Sequence, residues 1–492
     1  MTPAKLFPVE FTDRFPASIG AWTSIVLALT TGLGLRLYAL HKLFQPLGDS
    51  LIYGDIAKNL LLHGIYGLSE GNAIVPTLIR LPGYPFLLAV CFRLFGVENY
   101  YAAACLQIAL ELAGCLLLAN FARRIAPAAQ ARRAAHITLW LAALCPFTAS
   151  YCATPLAETP TLFAIALALW SVARFRQRPS WSFALLFTLA VTWATLLRPD
   201  GALVAVALAP ALLLGRKHAN PDHAPLAPAR LMRMALVCVL LALAPFALWT
   251  ARNWQVFHVF QPLAPRLATD PGEDPHLGWE AWVKSWCLDF NSTYFIYWNV
   301  PDDRLDTSLL PERAFDSPAQ RQQTQQLADD YNRKYVLTPE IDARFARLAA
   351  ERAALHPWRT HLWLPLGRMA DMWLRPRNEN LPVDLDWWDY RQHHAETRFS
   401  WAWAGLNLAY LLAAAAGLAR KPRFWLAMLA YMVLRSALLT TVEAPEARYT
   451  LECFPMIFAL AGVALADGLR RKAAFSFLPS AVSSSCHGKN LG

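Results

Sequence analysis

Long apolar runs, most of them closed by a few basic residues, alternate along much of this chain. Runs near residues 17–40, 99–121, 134–152, 156–173, 181–197, 200–215, 233–251, 399–419, 424–442 and 450–468 predict helices, most of them close to the roughly 20 residues that cross a hydrocarbon core of about 30 Å. The first run lacks a short apolar core followed by a small-residue cleavage site, so it reads as a retained transmembrane helix. Tyr84 to Gly96 is too short to span and reads as an interfacial helix. Between 252 and 398 the pattern becomes rich in Trp, Pro, Asp and Arg, with one or two soluble helices over 317–355 and an interfacial helix over Leu362 to Leu374.

Composition agrees with a membrane class: 56% of the 492 residues are hydrophobic and 16% charged, too apolar for a water-soluble enzyme. The net charge of +10 would suit nucleic acid, but it sits in short connectors: Arg123/Arg124/Arg132/Arg133, Arg174/Arg176/Arg178, Arg216/Lys217/Arg230, Arg420/Lys421/Arg423 and Arg470/Arg471/Lys472. One orientation turns all five toward the cytoplasm, with both termini there as well. The expected architecture is an all-α polytopic membrane protein of about ten spans. It comprises a membrane module over 1–251 with its first outer loop at 41–98, an outward-facing mixed α domain over 252–398, a second membrane module over 399–472 and a cytoplasmic tail over 473–492. Compact loops favour a bacterial inner (plasma) membrane, which makes the outer side periplasmic. The cysteines sit mostly in apolar runs without a Cys-x-x-Cys pair and read as buried hydrophobes.

That orientation gathers the unusual polar residues on one side. Asp49, Asp55, Arg80, Glu158, Arg198, Asp200, Arg252, Glu443, Glu446 and Arg448 all fall at outer span ends or in outer loops. Charges of both signs at one interface suit an anionic, lipid-linked molecule.

In this order, Asp49-x-x-x-Tyr53, Ile56-Ala57, His63-Gly64, Arg80-Leu-Pro82-Gly83-Tyr84-Pro85, Leu156-Ala-Glu158-Thr159, Leu197-Arg198-Pro199-Asp200-Gly201, Ala251-Arg252-Asn253 and Ala447-Arg448-Tyr449 resemble the multi-spanning GT-C glycosyltransferases of the family 39 type. That family includes protein O-mannosyltransferases and the lipid A aminoarabinose transferase. The resemblance implies a GT-C bundle that moves a sugar from a polyprenyl-phosphate donor to a lipid, protein or polysaccharide acceptor on the outer face, with inversion at the anomeric carbon. It also implies Asp49 as the catalytic carboxylate. Two positions depart from the family. Ser50 follows Asp49 where both branches carry a glutamate, and Ile79 precedes Arg80 where the lipid A branch carries a metal-binding glutamate. No metal or other cofactor is therefore expected, although a divalent ion stays open.

The same residues carry plainer readings. Asp49, a base whose pKa partial burial would raise, also sits where a helix N-cap belongs. Asp55 falls on another face of that helix and ranks second as an acid, with helix solvation as its plain role. Glu158 serves as an acceptor-site acid or as a carboxylate favoured by a helix N-terminus. Arg80, Arg198, Arg252, Arg448 and the intramembrane Arg435 have the planar fork that binds phosphate, and each alone is also an ordinary snorkelling arginine. Arg435, inside an apolar span, requires a partner: Glu443, Glu446 or a bound phosphate. Pro199-Asp200-Gly201 reads first as a turn. Tyr53 and Tyr84 stack on substrate or belong to an aromatic belt. His393-His394 with Asp384, Asp386 and Glu396 is a metal candidate or a solvated loop. A transporter or flippase for a lipid-linked sugar, or a non-catalytic assembly subunit, are the competing functions. Transporters place coupling charges near the midplane of paired repeats, unlike the one-sided acids here.

Overall fold

The computed structural model describes residues 19–213 and 227–476. The expected N-terminal orientation, the Arg216/Lys217 connector and most of the 473–492 tail lie outside them. A helix occupies each predicted apolar run: α1 (Ile19–Leu43), then, beyond the first loop, α4 (Tyr100–Ile125), α5 (Ala131–Ala143), α6 (Pro146–Cys152), α7 (Glu158–Gln177), α8 (Trp181–Leu197), α9 (Ala202–Leu213), α10 (Pro228–Phe257), α15 (His394–Ala419), α16 (Trp425–Leu439) and α17 (Phe454–Ser476). The run over 134–152 is two helices rather than one, bent by 51° at Pro146, whose missing N–H and ring break the ladder. By length and composition five described helices are able to span, or six with the bent pair, fewer than the ten runs. Charges in α7 and the shortness of α8, α9 and α16 account for the difference. The helix expected at the end begins with a 3-10 stretch, Ala447–Cys453, and runs on to Ser476, past the expected start of the tail.

The bundle core is aliphatic and aromatic, drawn from α4, α5, α7, α15, α16 and α17. The span Ala447–Gly468 is its axis, with 89% of its apolar window buried. Small residues let backbones close on it: a Cβ on Gly417 would lie 2.0 Å from the Leu460 carbonyl oxygen and one on Gly462 1.9 Å from the Thr138 hydroxyl. Conversely, α10 leaves Leu236, Val239, Leu240, Leu241, Leu243 and Leu248 exposed, a face that only lipid covers without cost. Arg36 of α1, wholly buried, pairs with Glu111 of α4 and donates to the Gly32 and Ala143 carbonyls, so this mid-bundle charge is neutralised.

The first loop folds as α2 (Asp49–His63), a hairpin of β1 (Gly67–Glu70) and β2 (Ala73–Pro76), and α3 (Gly83–Phe95). The hairpin, antiparallel with Gly67 opposite Pro76, was not anticipated. The segment between α10 and α15 holds α11 (Leu277–Lys284), α12 (Pro318–Asn332), α13 (Pro339–Leu355) and α14 (Leu364–Leu374). Ser317 and Thr338 cap α12 and α13, each before a first-turn proline, the arrangement that pre-sets a helix start. This segment has its own core, where Trp279, Trp282, Trp286 and Phe345 stack with centroids 5.0–5.3 Å apart. Among the described cysteines, Cys91, Cys115, Cys145, Cys152, Cys287 and Cys453 are buried as expected, but Cys238 is half-buried and Cys105 exposed.

Candidate active site

The charged residues scattered through the sequence meet at one end of the bundle. Gly48, at φ 51°, is the cap residue of α2, and Asp49 is the first helical residue. Its carboxylate therefore does not cap the helix. Instead Arg80 Nη2 donates to Asp49 Oδ1 at 2.7 Å and Arg448 Nη2 to Oδ2 at 3.3 Å, one guanidinium on each oxygen. Arg448 also pairs with Glu446 at 2.5 Å and Glu158 at 3.6 Å. Behind this pair Arg198 bridges Glu158 and Glu452, both at 3.0 Å, and Asp200 at 3.6 Å. Arg435 closes the floor against Asp200 at 2.8 Å and Glu452 at 2.7 Å, with Nε donating to the Tyr449 carbonyl.

Exposure grades through the cluster: Arg435 and Glu452 side chains are fully buried, Arg80, Arg198 and Arg448 are 18–19% exposed and Asp49 31%. Asp49 is thus the accessible edge of a network in which four arginines face five carboxylates. Burial raises its carboxyl, but the Arg80 and Arg448 guanidiniums outweigh that and hold it below its ordinary value, the reverse of the expected upward shift. Tyr53 lies beside it, with the Arg80 guanidinium 5.8 Å from its ring centre.

Other sequence candidates fall elsewhere. Asp55 accepts from the Ser69 backbone N–H at 2.6 Å and hydroxyl at 2.8 Å and pairs with Lys58 at 3.0 Å, so it ties the hairpin to α2 rather than merely solvating the helix. Arg252 donates to the Tyr66 and Thr77 carbonyls at 2.7 and 2.8 Å and lies within 5.2–5.4 Å of the Tyr66, Trp249 and Phe257 ring centres. These donors clamp the hairpin and meet no carboxylate of the cluster. Tyr84 is wholly buried and donates to Gln107 Oε1 at 2.7 Å, which makes it a packing residue with no face for a substrate. The partners of Arg435 are Asp200 and Glu452; Glu443 instead pairs with Arg266 and Lys284, and Glu446 with Arg448. Asp384, His393 and Glu396 bring one ligand atom each within 4.8 Å of one another, while both His393 ring nitrogens face carboxylates, Asp384 at 3.2 Å and Asp386 at 3.4 Å. This loop converges more closely than its spacing suggested. Glu452 was missed altogether and Asp200 was ranked first as a turn. The signal for Glu452 was available, since a carboxylate inside an apolar run needs a partner as much as Arg435 does.

The family likeness read from the motifs holds. Residues 76–249 match the model of the dolichyl-phosphate-mannose-protein mannosyltransferase family. The matched stretch carries Arg80, Glu158, Arg198 and Asp200, while Asp49, Arg435, Arg448 and Glu452 lie outside it. Among solved structures, the chain is similar to the Archaeoglobus fulgidus oligosaccharyltransferase tethered with an acceptor peptide, at 11% identity and TM-score 0.48, covering 94% of this chain and 51% of that one. It is also similar to the oligosaccharyltransferase AglB of Archaeoglobus fulgidus in complex with an inhibitory peptide and a dolichol-phosphate, at 10% identity and TM-score 0.44, covering 95% and 52%. ArnT from Cupriavidus metallidurans bound to undecaprenyl phosphate aligns at 14% identity and TM-score 0.40, covering 93% and 80%. The chain thus spans about half the length of the archaeal enzymes it matches. No curated protein sequence matches it.

Proposed function

We propose that this membrane protein is an inverting glycosyltransferase that moves a sugar from a polyprenyl-phosphate carrier to an acceptor hydroxyl at the end of the bundle bearing Asp49. One observation carries the reading: the most exposed member of the charge cluster is a carboxylate with an arginine on each oxygen. In the proposed step Asp49 takes the proton from the acceptor hydroxyl as that oxygen bonds to the anomeric carbon. The bond from that carbon to the phosphate oxygen breaks on the opposite face, and the electron pair leaves with polyprenyl phosphate. Arg80 and Arg448, already beside the reacting carboxylate, receive the developing phosphate charge. Arg198 and Arg435 are held by buried acids and order the floor. Tyr53, unlike Tyr84, remains positioned to stack on the sugar. The matched family takes its name from a lipid-phosphate sugar, in keeping with such a donor. The acceptor is a lipid, protein or polysaccharide.

A bacterial inner-membrane location with the site facing the periplasm is supported by the basic loops Arg123 to Arg132 and Arg420 to Arg423, which line one cavity and which the positive-inside rule turns to the cytoplasm. The test is mass spectrometry of polyprenyl-phosphate sugars in membranes from cells with and without the protein. One carrier-linked sugar is expected to accumulate in the deletion. Unchanged carrier pools with altered glycan export would overturn the enzyme reading in favour of a transporter or an assembly subunit.

The lowered Asp49 pKa sets the expected pH dependence. A base works while ionised, so activity persists above its folded pKa and is lost as pH falls through it; for the wild type that limb lies below 3.8, the ordinary value. In Arg80→Gln one lowering charge is gone while burial remains, and the acid limb of kcat/KM moves upward. Identical limbs in the two proteins, measured in liposomes, would rule out the Arg80–Asp49 coupling.

A further inference from the structure

At the end of α7 away from Glu158 and the Asp49 cluster, the α4–α5 and α15–α16 loops frame an open cavity of about 1000 Å³. Arg123, Arg124, Arg132, Arg420, Lys421 and Arg423 line it, and among its lining residues the one acid is Asp467. That carboxylate is engaged, accepting from Gln130 at 2.9 Å and Arg420 at 3.0 Å. The Arg423 backbone N–H donates to the Ile125 carbonyl at 3.4 Å, joining the two loops. Lys421 and Phe424 take the left-handed backbone region at φ 48° and 65°, a cost that non-glycine residues bear where a loop must hold a set shape. The Lys421 ammonium lies 5.6 Å from the Trp425 ring centre, and the Arg132, Lys421 and Arg423 side chains are exposed to the chamber's solvent.

A second cavity, of about 640 Å³, shares Arg124, Gln177 and Arg423 with the first. Apart from these and Arg176 its walls are apolar: Val206, Ala207 and Pro210 on α9 face Trp425, Leu426 and Ala430 on α16. A basic chamber that continues into an apolar cleft between two membrane helices has the two-part chemistry of one molecule. Basic loops scattered for orientation alone need neither two loops joined around one recess nor the apolar cleft that continues it.

We infer that these joined cavities bind an anionic phospholipid, its phosphodiester head group among Arg132, Lys421 and Arg423 and an acyl chain in the cleft between α9 and α16. Charge complementarity selects an anionic head over a zwitterionic one, and the apolar cleft selects a lipid over a free anion. The site is remote from the Asp49 cluster and binds lipid whether or not the chain transfers sugar.

Native mass spectrometry of the purified full-length protein, equilibrated with equimolar phosphatidylglycerol and phosphatidylcholine, tests this. The wild type is expected to retain phosphatidylglycerol preferentially, and the Arg132→Gln/Lys421→Gln/Arg423→Gln variant to retain about tenfold less. Thermal unfolding of the wild type should rise with phosphatidylglycerol and not with phosphatidylcholine, a comparison that stands even if the triple variant does not fold. Equal retention of the two lipids by the wild type, or undiminished retention by a folded triple variant, would overturn the site. Complete displacement of the lipid by millimolar inorganic phosphate would overturn the lipid in favour of a free-phosphate site.

Discussion

Asp49→Asn is expected to fold and to transfer sugar about 100- to 10,000-fold more slowly, the range over which a positioned general base acts. The amide keeps the shape of the side chain and one oxygen to accept from Arg80 or Arg448; the guanidinium left facing its NH2 retains another acceptor, the Ile79 carbonyl for Arg80 or Glu446 for Arg448, so α2 stays folded. What disappears is the ability to take a proton. The loss should fall on kcat, with the donor KM unchanged or lower, because two arginines freed from a negative partner hold phosphate at least as well. Turnover of the purified variant on a polyprenyl-phosphate sugar, alongside its unfolding profile, decides the matter. Activity within a few-fold of wild type would remove Asp49 from catalysis and restore the non-catalytic reading; a fall in donor affinity with unchanged kcat would make it a binding residue instead.

Arg435→Leu is expected to be the most destabilising single change at the site. It removes the cation that lies 2.8 Å from Asp200 and 2.7 Å from Glu452, and Glu452 is wholly buried. Breaking one side of a buried pair leaves uncompensated charge and costs about 3–5 kcal/mol. Arg198 still touches both acids, which places the loss toward the lower part of that range. Adding Glu452→Gln to the same chain should recover part of the loss, since it removes the wholly buried carboxylate and leaves Arg198 to serve Glu158 and Asp200 alone. Intrinsic fluorescence melts of wild type, single and double variants in one detergent measure this. A single variant as stable as wild type, or a double variant less stable than the single, would show that the floor is not held by charge balance.

Much of the fold was legible because its causes are local. Within lipid every backbone N–H and C=O must be satisfied inside its own segment, so an apolar run of sufficient length is a helix whatever surrounds it, as α1, α4, α10 and α15 show. Ser317-Pro318 and Thr338-Pro339 start α12 and α13 for equally local reasons. The hairpin Gly67–Pro76 was not legible: its strands are four residues each, and it is held from outside by Asp55, Asn59 and Arg252.

The sequence by itself determined which residues are ionisable, that they collect at one end of an apolar bundle, and that Arg435 must find an anion. Only the tertiary structure decided the pairings. Asp49 meets Arg448 across 399 positions, and Arg435 meets Asp200 across 235. It likewise turned Arg252 and Tyr84 away from the site and brought Glu452 into it. Coulombic and hydrogen-bond interactions depend on separation in space, and no periodicity along the chain encodes which helix ends lie side by side once the bundle has packed.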